Sequence, residues 1–276
     1  MRTPRVWPVF SAFVLALVLT LVVATVALVI RAISLGLEPT AVSFDSTALT
    51  IGAVTSSSTL VLLALCFGGG LTLERFRLGK ARGGMRVNLV ALLGTIALAQ
   101  VLDSMLRLLN LYEVSTLAKF DEALVGIGAA RMVLAIIVLG PLTGFAEELF
   151  FRGYMQTRLV QRWPIWRAVV ITSVCFGILH LDLVHSVVAG ILGLWFGFVT
   201  ERAESIRPAV WAHAGNNSLA VVLSATGLSE LGTAVIIPLG LASVAVFLVC
   251  ARHIARVQKP APRTLDLSSE QVSVLT

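Results

Sequence analysis

Apolar residues fall into eight blocks along the chain, separated by short polar segments, near residues 8–35, 48–72, 87–109, 129–153, 165–182, 185–201, 208–226 and 231–252. Each block comes close to the roughly 20 residues that a helix needs to cross a hydrocarbon core. The pattern predicts an all-α protein, a polytopic transmembrane bundle of about eight spanning helices, with one domain over residues 1–256. The first block, Val6 to Ile33, is longer than a signal-peptide core and lacks a small-residue cleavage site, so it is expected to be retained as a span. Residues 257–276 contain Pro260 and Pro262 and end in Ser, Thr and Gln; with little apolar content they are expected to form a disordered cytoplasmic tail. Ala189, Gly193 and Gly197 recur every four residues in the sixth block and make a flat strip for close helix approach.

Composition supports the membrane assignment: 57% of the 276 residues are hydrophobic and 13% are charged, where a soluble domain carries about 25% charge. The 21 Lys and Arg against 15 Asp and Glu suggest nucleic acid only until they are placed. They gather in short loops such as ERFRLGKARGGMR, which topology explains and nucleic acid does not. Basic loops on one side and acidic or uncharged loops on the other put both termini in the cytoplasm, with the plasma membrane as the site in a bacterium. Cys66, Cys175 and Cys250 each stand alone in an apolar block and read as small buried hydrophobes.

Against this background the polar residues inside the blocks stand out, because a carboxylate at mid-membrane costs about 2.5–3.5 kcal/mol even on an insertion scale. Asp103 and Arg107 are four apart and read as an interfacial ion pair. Glu147 and Glu148 follow the apolar run MVLAIIVLGPLTGF. Consecutive helical residues point about 100° apart, so the two carboxylates face different surroundings. Glu148 precedes Arg152 by four, the favourable order for a helical ion pair, which leaves Glu147 free. His180 ends SVCFGILH, four residues after Phe176. His213 and Asn217 in PAVWAHAGNNS share one helix face. His185, placed in an outer loop, is left out of the set.

Three spans thus carry one polar cluster each, and the least costly arrangement turns all of them toward a shared, partly hydrated cavity. A carboxylate there can act as general base toward water, with a histidine orienting that water or passing a proton to the leaving amine. Imidazole and amide N–H groups can form an oxyanion hole. No Ser or Cys pairs with a base at helical spacing, which weakens a covalent mechanism. Counted from the block boundaries, His180 lies about 20 Å deep and His213 about 8 Å deep. Tilt, or a fourth helix continuing toward Trp163 with a seventh starting before Pro208, brings the depths together.

EELFFR, FGILH and HAGNN resemble, in order, the EExxxR, FxxxH and HxxxN motifs of the CPBP or Abi family of membrane proteases, which includes CAAX prenyl endopeptidases and bacteriocin-processing enzymes. The resemblance spans residues 141–223. It implies an intramembrane endopeptidase acting on a membrane-associated peptide or protein, with Glu147 as the water-activating residue, His180 assisting, His213 and Asn217 at the oxyanion site, and Glu148 and Arg152 in support. Members are named metalloproteases. Water activation by Glu147 with no required cofactor is favoured, while zinc held by Glu147, His180 and His213 stays open; there is no HExxH. A transporter or proton relay is the main alternative class, although no two-half repeat is visible. An inactive member serving as scaffold or immunity protein is the other.

Overall fold

The protein is described by a computed structural model over residues 6–38, 44–69, 72–229 and 232–257. The tail expected over 257–276 lies outside the described residues except for Val257. Among them there are nine helices and no strand: α1 (Trp7–Ser34), α2 (Ser46–Gly68), α3 (Gly84–Leu108), α4 (Thr116–Leu124), α5 (Ala129–Leu159), α6 (Ile165–Ile178), α7 (Leu183–Ala203), α8 (Arg207–Thr226) and α9 (Thr233–Ala255).

Eight of these coincide with the apolar blocks, and α4 is an additional short helix in the loop between the third and fourth. Six helices, α1, α2, α3, α5, α7 and α9, are long and apolar enough to cross a membrane. The other two of the eight depart for physical reasons. With 14 residues, α6 rises only about 21 Å, so His180 sits in the turn beyond it and not on the helix itself. Twenty residues make α8 long enough, but His213, Asn216 and Asn217 dilute its apolarity. The fourth helix runs on to Leu159, short of Trp163, and the helix of the seventh block starts at Arg207, one residue before Pro208.

Side chains fix several of the helix ends. Asp45 accepts from the Ala48 N–H to cap α2 and is gripped by Arg31 from the end of α1 at 2.7 Å. Asp182 caps α7 by accepting from the His185 N–H at 2.7 Å. Both use a carboxylate to satisfy amides that a helix leaves without partners. His185 therefore belongs to the first turn of α7, not to a loop.

The helix that positions the site is α5. Pro141 lacks an N–H, and its ring clashes with the carbonyl four residues earlier, so the helix widens to π geometry over Val138–Leu142. It returns to α over Thr143–Glu148 and widens again over Leu149–Gln156. The Thr143 hydroxyl donates to the Val138 carbonyl and the Thr157 hydroxyl to the Arg152 carbonyl, both at 2.9 Å and both five residues back. Every residue from 146 to 156 is buried; a helix enclosed all round occupies the centre of a bundle.

Around this axis lie two large apolar clusters, beside a small third one of Leu49, Leu124, Ala135 and Val221. One joins α1, α2, α5 and α6 through residues such as Phe13, Leu60, Phe151 and Phe176. The second joins α3, α7, α8 and α9 through Leu98, Trp195, Phe196 and Ile254. Cys175 and Cys250 are buried as expected, but Cys66 is exposed on the outer surface of α2, because α2 buries only a minority of its surface.

Close approach to α5 depends on small residues. A Cβ at Gly144 would stand 2.9 Å from the Ala214 backbone nitrogen on α8, a rigid obstacle. Gly144→Ala is expected to push α5 and α8 apart at a cost of about 1–3 kcal/mol, read as a lower unfolding midpoint in detergent. Gly52→Ala on α2, where a Cβ meets nothing within 4 Å, serves as the control and is expected to be neutral or slightly stabilising.

Candidate active site

Arg152 is entirely buried, and so is Glu148 one turn before it. Their charged atoms meet at 2.7 Å (Nη1 to Oε1), as the four-residue spacing predicts. The rest of the guanidinium is accommodated in part, since Arg152 Nε and Glu148 Oε2 are buried without a hydrogen-bond partner. Nη2 donates to the Gly193 carbonyl on α7 at 2.9 Å, and the charge lies over the rings of Phe176 and Phe196, at 4.6 and 5.3 Å from their centroids. A Cβ at Gly193 would approach Nη2 to 3.0 Å, so the small-residue strip of α7 makes room for this side chain. Four residues on, the pattern repeats: Gln156 donates to the Gly197 carbonyl at 3.1 Å and to Glu201 at 2.8 Å.

Glu148 Oε1 also receives a hydrogen bond from His213 Nδ1 at 3.0 Å. An ionised carboxylate only accepts, so Nδ1 carries a hydrogen toward Glu148, and Nε2 is the nitrogen that remains for another partner. The imidazole is stacked on Phe196 at 5.0 Å and 17° and edged by Phe176 at 5.8 Å. Its Nε2 faces Glu147 Oε2 at 3.6 Å. Glu147, 9% exposed, is therefore the less committed carboxylate of the pair.

His180 lies in the α6–α7 turn with Nδ1 on the Phe176 carbonyl at 3.0 Å. A carbonyl can only accept, so here too Nε2 is left open. The His180 ring stands edge-on to Phe176 at 5.2 Å. Asn217, one turn beyond His213, donates one amide hydrogen to the Leu139 carbonyl in the first π stretch at 3.1 Å; the second remains for a ligand.

Glu147, Glu148, Arg152 and His213 thus form one contiguous set. His180 shares with this set the Phe176 ring, which also lies against Arg152 and His213, and Asn217 follows His213 along α8. A polar cavity of about 360 Å³ lined by Arg75, Tyr154 and Arg158 and an apolar groove of about 340 Å³ between α6 and α7 lie apart from the set.

Several participants were not legible from sequence. Gln156 and Glu201 extend the buried network to Arg77, which pairs with Glu201 at 2.6 Å. The only signal was that Gln156 follows Arg152 by four, as Gly197 follows Gly193. His185 packs its ring against His180 with centroids 4.3 Å apart, a contact made across a turn and therefore outside any helical spacing rule.

Zinc needs several donors converging on one point. Among the described residues no three His, Cys, Asp or Glu side chains do so.

Comparison with known proteins agrees with the motif resemblance. Residues 129–219 match the family described as type II CAAX prenyl endopeptidase Rce1-like. From Bacillus subtilis (strain 168), the protein named "Putative membrane peptidase YdiL" is 30% identical over 92 residues, 33% of this chain and 36% of that protein. The uncharacterized protein YyaK of the same strain is 36% identical over 97 residues, 31% of this chain and 32% of that protein. The matches therefore span about a third of each relative's length. No solved structure gives a significant match.

The Arg152–Glu148 pair makes a direct stability prediction. Arg152→Met leaves a buried carboxylate without its counter-charge and is expected to cost about 3–5 kcal/mol. Adding Glu148→Gln removes the orphaned charge and is expected to recover part of that loss. A double-mutant cycle by unfolding in detergent measures the coupling.

Proposed function

We propose that this chain is an intramembrane endopeptidase that hydrolyses a peptide bond of a membrane-associated peptide or protein with water activated by Glu147. The match of residues 129–219 to the Rce1-like family supports a membrane peptidase. The observation that carries the mechanism is the unequal treatment of two adjacent glutamates. Glu148 is held by Arg152 and His213, while Glu147 keeps only a 3.6 Å approach to His213 Nε2.

In this mechanism Glu147 takes a proton from water as the water oxygen attacks the scissile carbonyl carbon, a general-base step. His180 Nε2 accepts the water's other hydrogen and orients it. The negative charge that develops on the carbonyl oxygen is met by the free N–H of Asn217 and by His213 Nε2–H, an oxyanion hole of two donors. His213 can donate there while Nδ1–H stays on Glu148, because both imidazole nitrogens carry hydrogen in the protonated ring. The C–N bond then breaks as the proton held by Glu147 passes to the leaving amine. No covalent intermediate and no cofactor enter this scheme.

Purified protein in detergent, assayed for cleavage of membrane-associated peptides, tests the reading. Glu147→Gln is expected to lower kcat by about 10²–10⁴-fold with unfolding behaviour unchanged, and Asn217→Ala by about 10²–10³-fold. Undiminished cleavage by Glu147→Gln sinks the assignment. Peptides that accumulate in membranes of cells carrying Glu147→Gln, and not in wild type, identify the substrate.

A further inference from the structure

We infer that His185 is a positioning residue for His180, held in place by α4, so that the short helix α4 is part of the machinery that aims the second histidine. This inference rests on the peptidase reading above. It starts from the sequence LHLDLVH, in which the two histidines are five residues apart and share no helical face. They meet because Leu181 adopts a left-handed conformation with φ 56°, a region that residues with a branched side chain seldom occupy and that tends to persist where surrounding structure enforces it. Asp182 then caps α7 through the His185 N–H, fixing the His185 backbone immediately after the reversal.

The consequence is a ring pair with centroids 4.3 Å apart, tilted by 56°. Without His185, the His180 ring is held by one hydrogen bond, Nδ1 to the Phe176 carbonyl, and by the edge of Phe176. A half-turn about its last side-chain bond would then put Cδ2 where Nδ1 stood, break that one hydrogen bond and turn Nε2 away, freeing the ring to change tautomer. The His185 ring, packed against it at 4.3 Å, stands in the way of that rotation.

His185 is in turn held from α4. Its Nδ1 is 3.1 Å from the Thr116 hydroxyl, and its ring stands edge-on to Phe120 at 5.7 Å. This helix has nine residues, too few to be stable alone, and it is pinned from outside. Asp121 accepts from the Tyr112 hydroxyl at 2.5 Å and from the Ser224 hydroxyl on α8, while Arg107 from the end of α3 lies over the Tyr112 ring at 3.8 Å. A continuous set of contacts therefore runs from α3 and α8 through Asp121, α4 and His185 to His180.

Three variants test the inference. His185→Ala is expected to lower kcat on the order of tenfold to a hundredfold, the scale of a misplaced group, with KM unchanged. His185→Phe keeps a ring against His180 and is expected to restore most of kcat. Thr116→Val is expected to lower kcat less than His185→Ala in the wild-type background and to have no effect on top of His185→Phe. A His185→Phe protein as impaired as His185→Ala, or a His185→Ala protein at full kcat, overturns the inference. A readout independent of turnover keeps it separable from the peptidase reading. With ¹⁵N-labelled histidine, assigned among the four histidines by single variants, His180 is expected to show one fixed Nδ1–H tautomer in wild type and His185→Phe, and tautomer averaging in His185→Ala. A single fixed tautomer in His185→Ala also overturns it, whether or not any peptide is cleaved.

Discussion

A guanidinium with no exposed surface, at the centre of a bundle built to sit in lipid, sets terms that the neighbouring helices must meet. Arg152 cannot lose its proton in ordinary conditions, so its charge has to be balanced inside the protein, where Nη1 and Nη2 find acceptors and Nε does not. Glu148 supplies the charge from the same helix, Gly193 supplies a carbonyl from α7, and Phe176 and Phe196 supply ring faces from α6 and α7. Phe176 belongs to one of the two large apolar clusters and Phe196 to the other, so the cation lies against both.

Once Arg152 is placed, much of the remaining site is constrained. Glu148 cannot turn away without abandoning the cation, and its shared oxygen fixes the hydrogen of His213 on Nδ1. That orients Nε2 toward Glu147. The π geometry from Leu149 onward and the glycines facing it allow bulky side chains to be enclosed on all sides without the helices separating. A π stretch inside an α-helix commonly marks a functional site, and here two flank the paired glutamates.

The all-helical bundle was legible because lipid leaves little alternative: long apolar blocks become helices, and eight of the nine helices lie where those blocks do. The Glu148–Arg152 pair was legible for a similar reason, since both partners sit on one helix and four-residue spacing is a local rule. What escaped depends on contacts between elements. Leu181 carries no glycine to announce a left-handed turn, so the meeting of His180 with His185 has no local signature. Helix α4 is too short and too polar on one side to register among apolar blocks. Gln156 looked like an ordinary polar residue near a helix end until Gly197 and Glu201 were seen beside it. The strip of Ala189, Gly193 and Gly197 did predict close approach, but a small residue says only that something comes near. That the visitor is a cation followed by a carboxamide comes from the register between α5 and α7.

That register also explains why the buried cation is an arginine. An ammonium is a compact, strongly hydrated point charge that would have to leave its water behind for a site that offers two flat ring faces and two acceptors in different directions. A guanidinium is planar and less strongly hydrated, and its nitrogens diverge in a fixed fork. It can reach Glu148 with one, the α7 backbone with another, and still lie over aromatic rings. The same fork links the electrostatics of the site to the packing of the bundle: the side chain that neutralises Glu148 also joins α5 to α7. Any shift between those helices would strain the pair that holds His213, so the distance between Glu147 and His213 is governed by backbone packing as much as by charge.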